Sequence, residues 1–454
     1  MKVIKFGGSS VASGEQIEKV FRIVTDDPER KVVVVSAPGK RFKGDDKVTD
    51  LLIKCAEQVL ETGDAKEAYE AVIGRYRDIA THLQLPMTII DELSSRLSEL
   101  LNADRSNPES FTDAIKANGE DSSAKLVAAY FQKQDVEAHY VNPKDAGLFV
   151  SDEPGNAQVL PQSYDNLLAL RERSGVLIFP GFFGYSETGK IVTFSRGGSD
   201  ITGSILANGV KADVYENFTD VDAVYAVNPN FIEHPHEIRE LTYQEMRELS
   251  YAGFAVFHDE ALIPAFRAGI PVNIRNTNNP SAPGTYILAK RQQSNGPVVG
   301  IASDGGFCSI NVSKYLLHRE IGFGRRLLQI LEDFGVSYEH TPSGIDDISV
   351  IIRQNQIAEG IEETIINRIY EELEVDNVTV EHDLSMIMIV GEGMIRTIGT
   401  MAKATNALAD EKVNIEMINQ GSSEVSVMFG VHSVDEKKAV QALYQAFFTT
   451  SPVK

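Results

Sequence analysis

The sequence predicts an α/β protein: a three-layer domain around a mainly parallel sheet, followed by two small βαββαβ units. Three observations carry that expectation. Short, continuous apolar runs alternate with helical stretches up to about residue 290. Between Leu51 and Phe131 lies a long segment of helical periodicity with few breakers. Near the C-terminal end the chain repeats itself at a constant spacing.

The elements follow in order. MKVI with Lys5 and Phe6 is a short apolar strand, and Ser13 to Val24 places Ile17, Val20, Phe21 and Val24 on one helical face. KVVVVS (31–36), GVLIFP (175–180), ADVYEN (212–217) and IPVNI (270–274) are runs suited to parallel strands covered on both faces. A helix is predicted over Ile201 to Asn208. NTNNPSAPGT (276–285) and KRQQSNGP (290–297) collect Pro, Gly, Asn and Gln, and together predict an exposed connector. Beyond it, Gly344 with Gly421 and Ser349 with Ser426 keep a spacing of 77 residues. Each copy predicts a helix, a strand near Val336 or Val413, a glycine turn and a second strand. Further helices are expected from about Ala358 to Glu372 and from Asp435 to Phe447.

The 454 residues are 43% hydrophobic and 24% charged, as in ordinary globular proteins. A net charge of −22 argues against a general nucleic-acid or acidic-membrane binder, yet allows a local basic pocket for one nucleotide. Cys55 and Cys308 are too few for a disulfide framework and too far apart for a zinc cluster. No apolar run of about 18 residues predicts a membrane span, and no leader precedes the first strand. The cytoplasm is the expected location.

Two turns carry the chemistry. KFGGSS (5–10) lies between a strand and a helix, where backbone amides and a helix N-terminus converge and a lysine adds full charge. It reads as a phosphate cradle or as an ordinary glycine turn. SRGGSD (195–200) repeats the arrangement. Arg196 offers a planar fork for a carboxylate, or a surface salt bridge, and Asp200 could position a lysine or magnesium. KRFKGDDK (40–47) reads either as a mobile basic flap or as a solvated loop. His234 and His236 lack companions at zinc spacing, and no metal site is expected.

KFGGSS and SRGGSD, with KVTDLL (47–52), NGEDSSAKL (118–126), TDVDAVYAVNP (219–229), FHDEAL (257–262) and NTNNPSAPGT, resemble aspartate kinase, a member of the amino-acid kinase superfamily. The repeat is similar to the paired ACT domains of that family. The resemblance implies a monofunctional kinase domain over 1–290 and ACT regulatory domains over 298–380 and 381–454, with strand interleaving around 298–312 allowed by the family pattern. A fused homoserine dehydrogenase is not expected, because the chain ends at Lys454 soon after the second repeat. The implied reaction moves a phosphoryl group from MgATP to the β-carboxylate of L-aspartate, giving 4-phospho-L-aspartate, the first step towards lysine, threonine and methionine.

The same resemblance implies Lys5 and Asp200 as catalytic residues, and Thr49, Glu120, Arg196 and Ser199 around aspartate. Lys5, Phe6, Gly7, Gly8, Ser9, Gly197, Gly198, Thr219, Asp220 and Tyr225 would hold ATP. Gly322, Phe323, Ser337, Glu339, Ser343 and Gly344 match an effector site for lysine, although Glu339 also fits a residue facing water. Asn414, Ile415 and Gln420 stand at the equivalent places in the second copy, with threonine as a second candidate effector. ACT pairs imply a homodimer or homotetramer. Two departures bear on the chemistry: Asn230 replaces a usual arginine, and Ala255 a usual lysine. Lys211, Arg247 and Lys40 are candidates to replace the lost charge. The alternatives are another amino-acid kinase or a catalytically weak amino-acid sensor that keeps the fold.

Overall fold

The computed structural model describes residues 1–195, 197–254, 259–291, 296–358 and 360–449. Two compact units are present: Met1–Val224, Glu237–Arg247 and Ala255–Gln292 form one, and Tyr225–His236, Glu248–Phe254 and Gln293–Lys454 the other.

The first unit is organised by an eight-stranded sheet. Its strands are β1 (Lys2–Phe6), β2 (Arg30–Val35), β3 (Ala138–Tyr140), β4 (Val176–Pro180), β5 (Val214–Thr219), β6 (Glu240–Thr242), β7 (Val272–Asn276) and β8 (Thr285–Leu288). Their spatial order is β6-β8-β7-β5-β1-β2-β4-β3. All neighbours run parallel except β7 and β8, which pair Val272 with Ile287 and Ile274 with Thr285 antiparallel. The apolar run of β2 reflects cover on both faces: Val32 to Val35 have no exposed surface. The helical stretch resolves into α2 (Val48–Thr62), α3 (Lys66–His82), α4 (Thr88–Leu101) and α5 (Pro108–Lys133), after α1 (Gly14–Thr25). Ser13 caps α1, its hydroxyl accepting from the Gln16 amide at 3.4 Å.

Segment 276–285 corrects one expectation. It is the loop of the β7–β8 hairpin inside this unit, not part of an interdomain connector. It is also tied inward: the Thr277 amide donates to the Thr219 carbonyl at 2.9 Å, and the Thr277 hydroxyl meets Ser10 Oγ at 2.7 Å. Of the second predicted segment, residues 292–295 lie outside the described residues.

The second unit holds a six-stranded sheet built from β9 (Gly300–Ser313), β10 (Tyr338–His340), β11 (Asp347–Arg353), β12 (Asn377–Val390), β13 (Met417–Asn419) and β14 (Ser426–His432). The order is β10-β11-β9-β12-β14-β13. The long central strands β9 and β12 pair antiparallel from Gly300–Val390 to Ser313–Asn377. Each therefore serves both repeats. The far half of β9, from Phe307, pairs with β11, while the Leu384–Val390 half of β12 pairs with β14. Helices Phe323–Asp333 and Ile361–Leu373 belong to the first repeat, Thr400–Asp410 and Glu436–Phe448 to the second. The strands expected near Val336 and Val413 begin slightly later, at Tyr338 and Met417.

Candidate active site

Four parallel strands deliver their carboxyl ends to one place. After β1 come Gly8 and Ser9, after β2 Ser36 to Lys40, after β4 Phe182, and after β5 Asp220. All line one cavity of about 570 Å³. This is where an open α/β sheet receives a ligand, because helix N-termini and strand-end loops face the same edge.

The first turn is held tightly. The Gly7 amide donates to the Phe218 carbonyl at 3.1 Å, and the Gly39 amide to the Gly8 carbonyl at 2.8 Å. A Cβ on Gly39 would come within 2.7 Å of the Gly8 carbonyl carbon, so the two loops approach this closely only as glycine against glycine. The helix after the second turn, α7 (Gly198–Gly209, with α6 spanning Gln162–Leu168), begins three residues earlier than predicted. Gly197 caps it at φ +77°, which puts Ser199 and Asp200 in its first turn. A carboxylate there faces the positive end of the helix. Asp200 Oδ1 pairs with Lys5 Nζ at 2.5 Å and accepts from Asn217 Nδ2 at 2.7 Å. The lysine ammonium of one glycine turn is thus fixed by the aspartate of the other.

Glu120 reaches the cavity from α5. Gly119 permits this, since a Cβ there would lie 2.9 Å from that of Ala37. The Glu120 side chain is buried, and its Oε2 has no hydrogen-bond partner. Burial pushes its carboxyl up to about 8, opposed by the Ala37 amide, its own amide and the charges of Lys5 and Lys116. A buried, half-satisfied carboxyl in a polar cavity is suited to a ligand ammonium group. Thr49, in the first turn of α2, and Ser199 line the same cavity.

The structure therefore brings together Lys5, Gly8, Ser9, Thr49, Glu120, Gly197, Gly198, Ser199, Asp200 and Asp220. It does not bring all the predicted residues there. Phe6 is not a lining residue: its ring is buried against Phe218, centroids 5.2 Å apart. Gly7 and Thr219 also stand off the lining, and the Thr219 hydroxyl donates to Asp220 Oδ1 at 3.2 Å. Tyr225 belongs to the other unit. Arg196, Ala255 and the FHDEAL residues Phe257 and His258 lie outside the described residues.

Sequence reasoning missed Ser36 to Gly39, Lys47 and Phe182 as lining residues. Their signal was positional: PGK directly follows the most apolar strand, at its ligand-facing end. The 40–47 loop is neither free nor simply solvated. Buried Arg75 of α3 donates to the Gly39 carbonyl at 2.6 Å, the Asp46 carbonyl at 2.8 Å and Asp45 Oδ2 at 2.9 Å. Arg41 closes the loop on the same carboxylate, with N and Nε each at 2.9 Å. The Arg41 hydrogen bond, with the charge of Arg75, holds the Asp45 carboxyl well below the usual range.

In the second unit, the predicted effector residues divide. Gly322 caps its helix at φ +81°, but the Phe323 ring is buried in the first repeat's core. The Ser337 amide and hydroxyl both donate to Gln356 Oε1 at 2.9 Å. Glu339 accepts from the Tyr251 hydroxyl and lies 3.5 Å from Arg353 Nε. The Gly344 amide donates to the Asp347 carbonyl at 2.9 Å, and Ser343 bridges to Ile348. In the second repeat Gln420 lines a cavity of about 320 Å³ with Arg396, Thr400 and Glu424, whereas Asn414 and Ile415 do not line it. The His236 ring stacks on Phe448, centroids 6.2 Å apart.

A sequence model of the amino acid kinase family matches residues 1–276, and one of an ACT domain matches 387–447. The chain is 67% identical to aspartokinase 3 of Bacillus subtilis over 448 residues, 99% of each chain. Clostridium acetobutylicum aspartate kinase, described as an allosteric enzyme, matches with a TM-score of 0.88 at 38% identity, covering 98% of this chain and 100% of that one. Aspartokinase III of E. coli, solved with aspartate and ADP in an R-state, matches with a TM-score of 0.78 at 25% identity over 98% and 99% of the two chains. The same enzyme with lysine and aspartate, in a T-state, gives 0.79 at 25% identity over 99% of each. With one family model spanning more than half of the chain and a relative two-thirds identical along its whole length, the chain belongs to the amino acid kinase family and, within it, to the aspartokinases.

Proposed function

We propose that the cavity of the first unit transfers the γ-phosphoryl group of ATP to the β-carboxylate of L-aspartate, and that the second unit regulates this step. The observation that carries the reading is the meeting of the Lys5–Asp200 pair with the unpartnered Glu120 oxygen in one cavity. A carboxylate oxygen attacks the γ-phosphorus, the bond to the ADP oxygen breaks, and an acyl phosphate forms with no net proton transfer. Catalysis then consists of holding two anions in line and neutralising their charge.

In this reading the amides of the KFGGSS turn and of the α7 N-terminus face the phosphates, with Lys5 as the fixed cation. Glu120 takes the aspartate ammonium group, Thr49 and Ser199 donate to its carboxylates, and Arg196 pairs with one of them. Magnesium enters as part of the nucleotide substrate, held mainly by phosphate oxygens; Asp200 and Asp220 are the oxygen donors of the cavity that suit it. The solved relative with aspartate and ADP supports the substrate pair.

The relative with lysine and aspartate supports lysine as effector. Gly322 and Glu339 of the first repeat are the residues proposed to hold it. Threonine is the second candidate, at Gln420. The catalytic domain is assigned to 1–290, and the regulatory pair to 298–380 and 381–454 with strands shared through β9 and β12. A homodimer or homotetramer through the regulatory sheets, in the cytoplasm, completes the reading; no helix among the described residues is long and apolar enough to cross a membrane.

The test is ADP release by the purified protein with MgATP and L-aspartate, alone and with lysine, threonine or both. Aspartate-dependent turnover inhibited by lysine is expected. ADP release that ignores aspartate would favour another amino-acid kinase, and none at all while lysine still raises Tm would favour the sensor reading.

A further inference from the structure

We propose that Lys40 and Lys47 are phosphate-binding residues of the catalytic cavity, held there by the Arg75–Asp45 brace, and that they supply the charge this chain lacks at Asn230 and Ala255. The proposal rests on the nucleotide reading above and names two residues for it.

The argument begins with charge. Among the described residues lining the cavity, the cations are Lys5, Lys40 and Lys47, and the anions are Glu120, Asp200 and Asp220. Lys5 is already paired with Asp200. Without the two loop lysines the described lining would carry no uncommitted cation, yet a nucleotide brings several negative charges. Both lysines are exposed, and among the described residues neither ammonium group has a hydrogen-bond or ion-pair partner. Two unpaired ammonium groups lining one cavity favour an anion bound within it.

The loop is built to keep them there. Lys40 follows Gly39, whose amide is bound to the Gly8 carbonyl of the first glycine turn and whose carbonyl is bound to Arg75. Lys47 precedes Val48, whose amide donates to the Pro38 carbonyl at 3.0 Å. Between them, Asp45 gathers Arg41 of the loop and Arg75 of α3, so both arginines are spent on closing the loop and the two lysines are left for the cavity. The other two candidates fit less well. Lys211 follows the C-terminal end of α7, about 18 Å from the end that carries Ser199 and Asp200. Neither Lys211 nor Arg247 lines the cavity.

The experiment compares the full-length chain with Lys40→Met, Lys47→Met and the double variant. Titrations use ADP, adenylyl-imidodiphosphate and AMP, each with magnesium. Each single change is expected to weaken adenylyl-imidodiphosphate binding about tenfold and the pair about a hundredfold, with AMP binding and Tm unchanged. The KM for ATP should rise in step, and a Lys211→Met variant should behave as the parent. A double variant that binds ADP and adenylyl-imidodiphosphate as the parent does would overturn the proposal. So would a loss expressed only in the KM for aspartate, which would put the lysines on the other substrate. Because binding is read without turnover, a parent that binds nucleotide but does not use aspartate would refute the kinase reading alone and leave the lysine result standing.

Discussion

Helix α5 carries two buried carboxylates, Asp113 and Glu120, two turns apart on one face and in opposite condition. Asp113 is fully partnered. Its Oδ2 accepts from the Gly155 and Thr193 amides at 2.8 Å, and its Oδ1 from Thr193 Oγ1 at 2.8 Å and Lys116 Nζ at 2.7 Å. Glu120 has an oxygen with no partner, and burial drives its carboxyl towards neutrality. A buried carboxylate with every acceptor direction filled serves as a brace. One left half-filled beside a cavity is waiting for a ligand. Asp113 braces the strand that leads through Thr193 to the SRGGSD turn, while Glu120 faces the space where that turn ends.

Glu216 tests the brace side of the comparison with the largest expected effect. It lies on β5 and accepts from Arg30 Nε at 2.6 Å and Nη2 at 3.0 Å and from Arg275 Nη1 at 2.9 Å. Desolvation would raise its pKa, but the hydrogen bond and charge of Arg30, then those of Arg275, outweigh it and leave the carboxyl below its ordinary value. Glu216→Gln should cost about 3–5 kcal/mol in urea unfolding, because two arginines lose their counter-charge in the sheet. The sign with pH follows: a depressed folded pKa gives stability that is present above the unfolded value of 4.5 and lost as pH falls through the folded one. The variant should lack that acid-side loss. An unchanged unfolding midpoint would remove Glu216 from the brace class.

Glu120→Gln should move stability and activity in opposite directions. The raised carboxyl makes the parent lose stability as pH rises from the unfolded value of 4.5 through about 8, and the amide has no such slope, so the variant should equal or exceed the parent in Tm at pH 8. Its kcat/KM for aspartate should nevertheless fall on the order of 100-fold, since the substrate ammonium loses a buried charged partner. In the parent the KM for aspartate should fall as pH rises towards 8 and Glu120 ionises; in the variant it should be flat over that range. A variant that loses Tm and keeps its kcat/KM would reverse the assignment of roles.

Asp113→Asn is expected to cost less, about 1–3 kcal/mol, because one acceptor becomes a donor facing donors. Acting through Thr193, it should raise the KM for aspartate several-fold and leave kcat nearly unchanged. A fall in kcat as large as that for Glu120→Gln would mean the two carboxylates do not divide the work.

What could be read from sequence depended on whether the cause was local. Val32 to Val35 read as a buried strand because a run apolar on both faces has few other uses. Lys5, Asp200 and Glu120 could be named because their motifs are contiguous, although Lys5 and Asp200 pair across a long stretch of the domain sequence. The start of α7 was misplaced because Gly-Gly suggests a turn, whereas only Gly197 is the turn and Gly198 is already helical. The 276–285 segment misled for a similar reason: Pro, Gly and Asn report where the chain reverses, not where a domain ends. Asp113 and Arg75 were invisible. Each gains its role chiefly from partners more than 25 residues away, and nothing in the neighbouring sequence marks an ordinary helical aspartate or arginine as buried.

The same distinction applies, with the smallest expected effect, to the two regulatory repeats, where Glu339 and Glu416 stand at matching positions 77 residues apart. Glu339 is engaged by the Tyr251 hydroxyl and by Arg353. Glu416 is exposed, accepts from the Asn414 amide group, and lies with Glu381 and His432 so that their ligand atoms fall within 4.8 Å. The residue matching Arg353 in the second repeat is Gly430, so that repeat has no arginine to neutralise its carboxylate. Near the surface, replacing either glutamate by glutamine should change stability by no more than about 1 kcal/mol. The lysine response should separate them. A ligand ammonium can replace the Arg353 contact of Glu339 in kind, so Glu339→Gln should raise the lysine concentration for half-inhibition about tenfold, the loss of one charge-assisted hydrogen bond. Glu416→Gln should shift it less than about twofold. Equal shifts in both variants would show that the repeats are read as one site and that the Arg353–Gly430 difference has no part in choosing the effector.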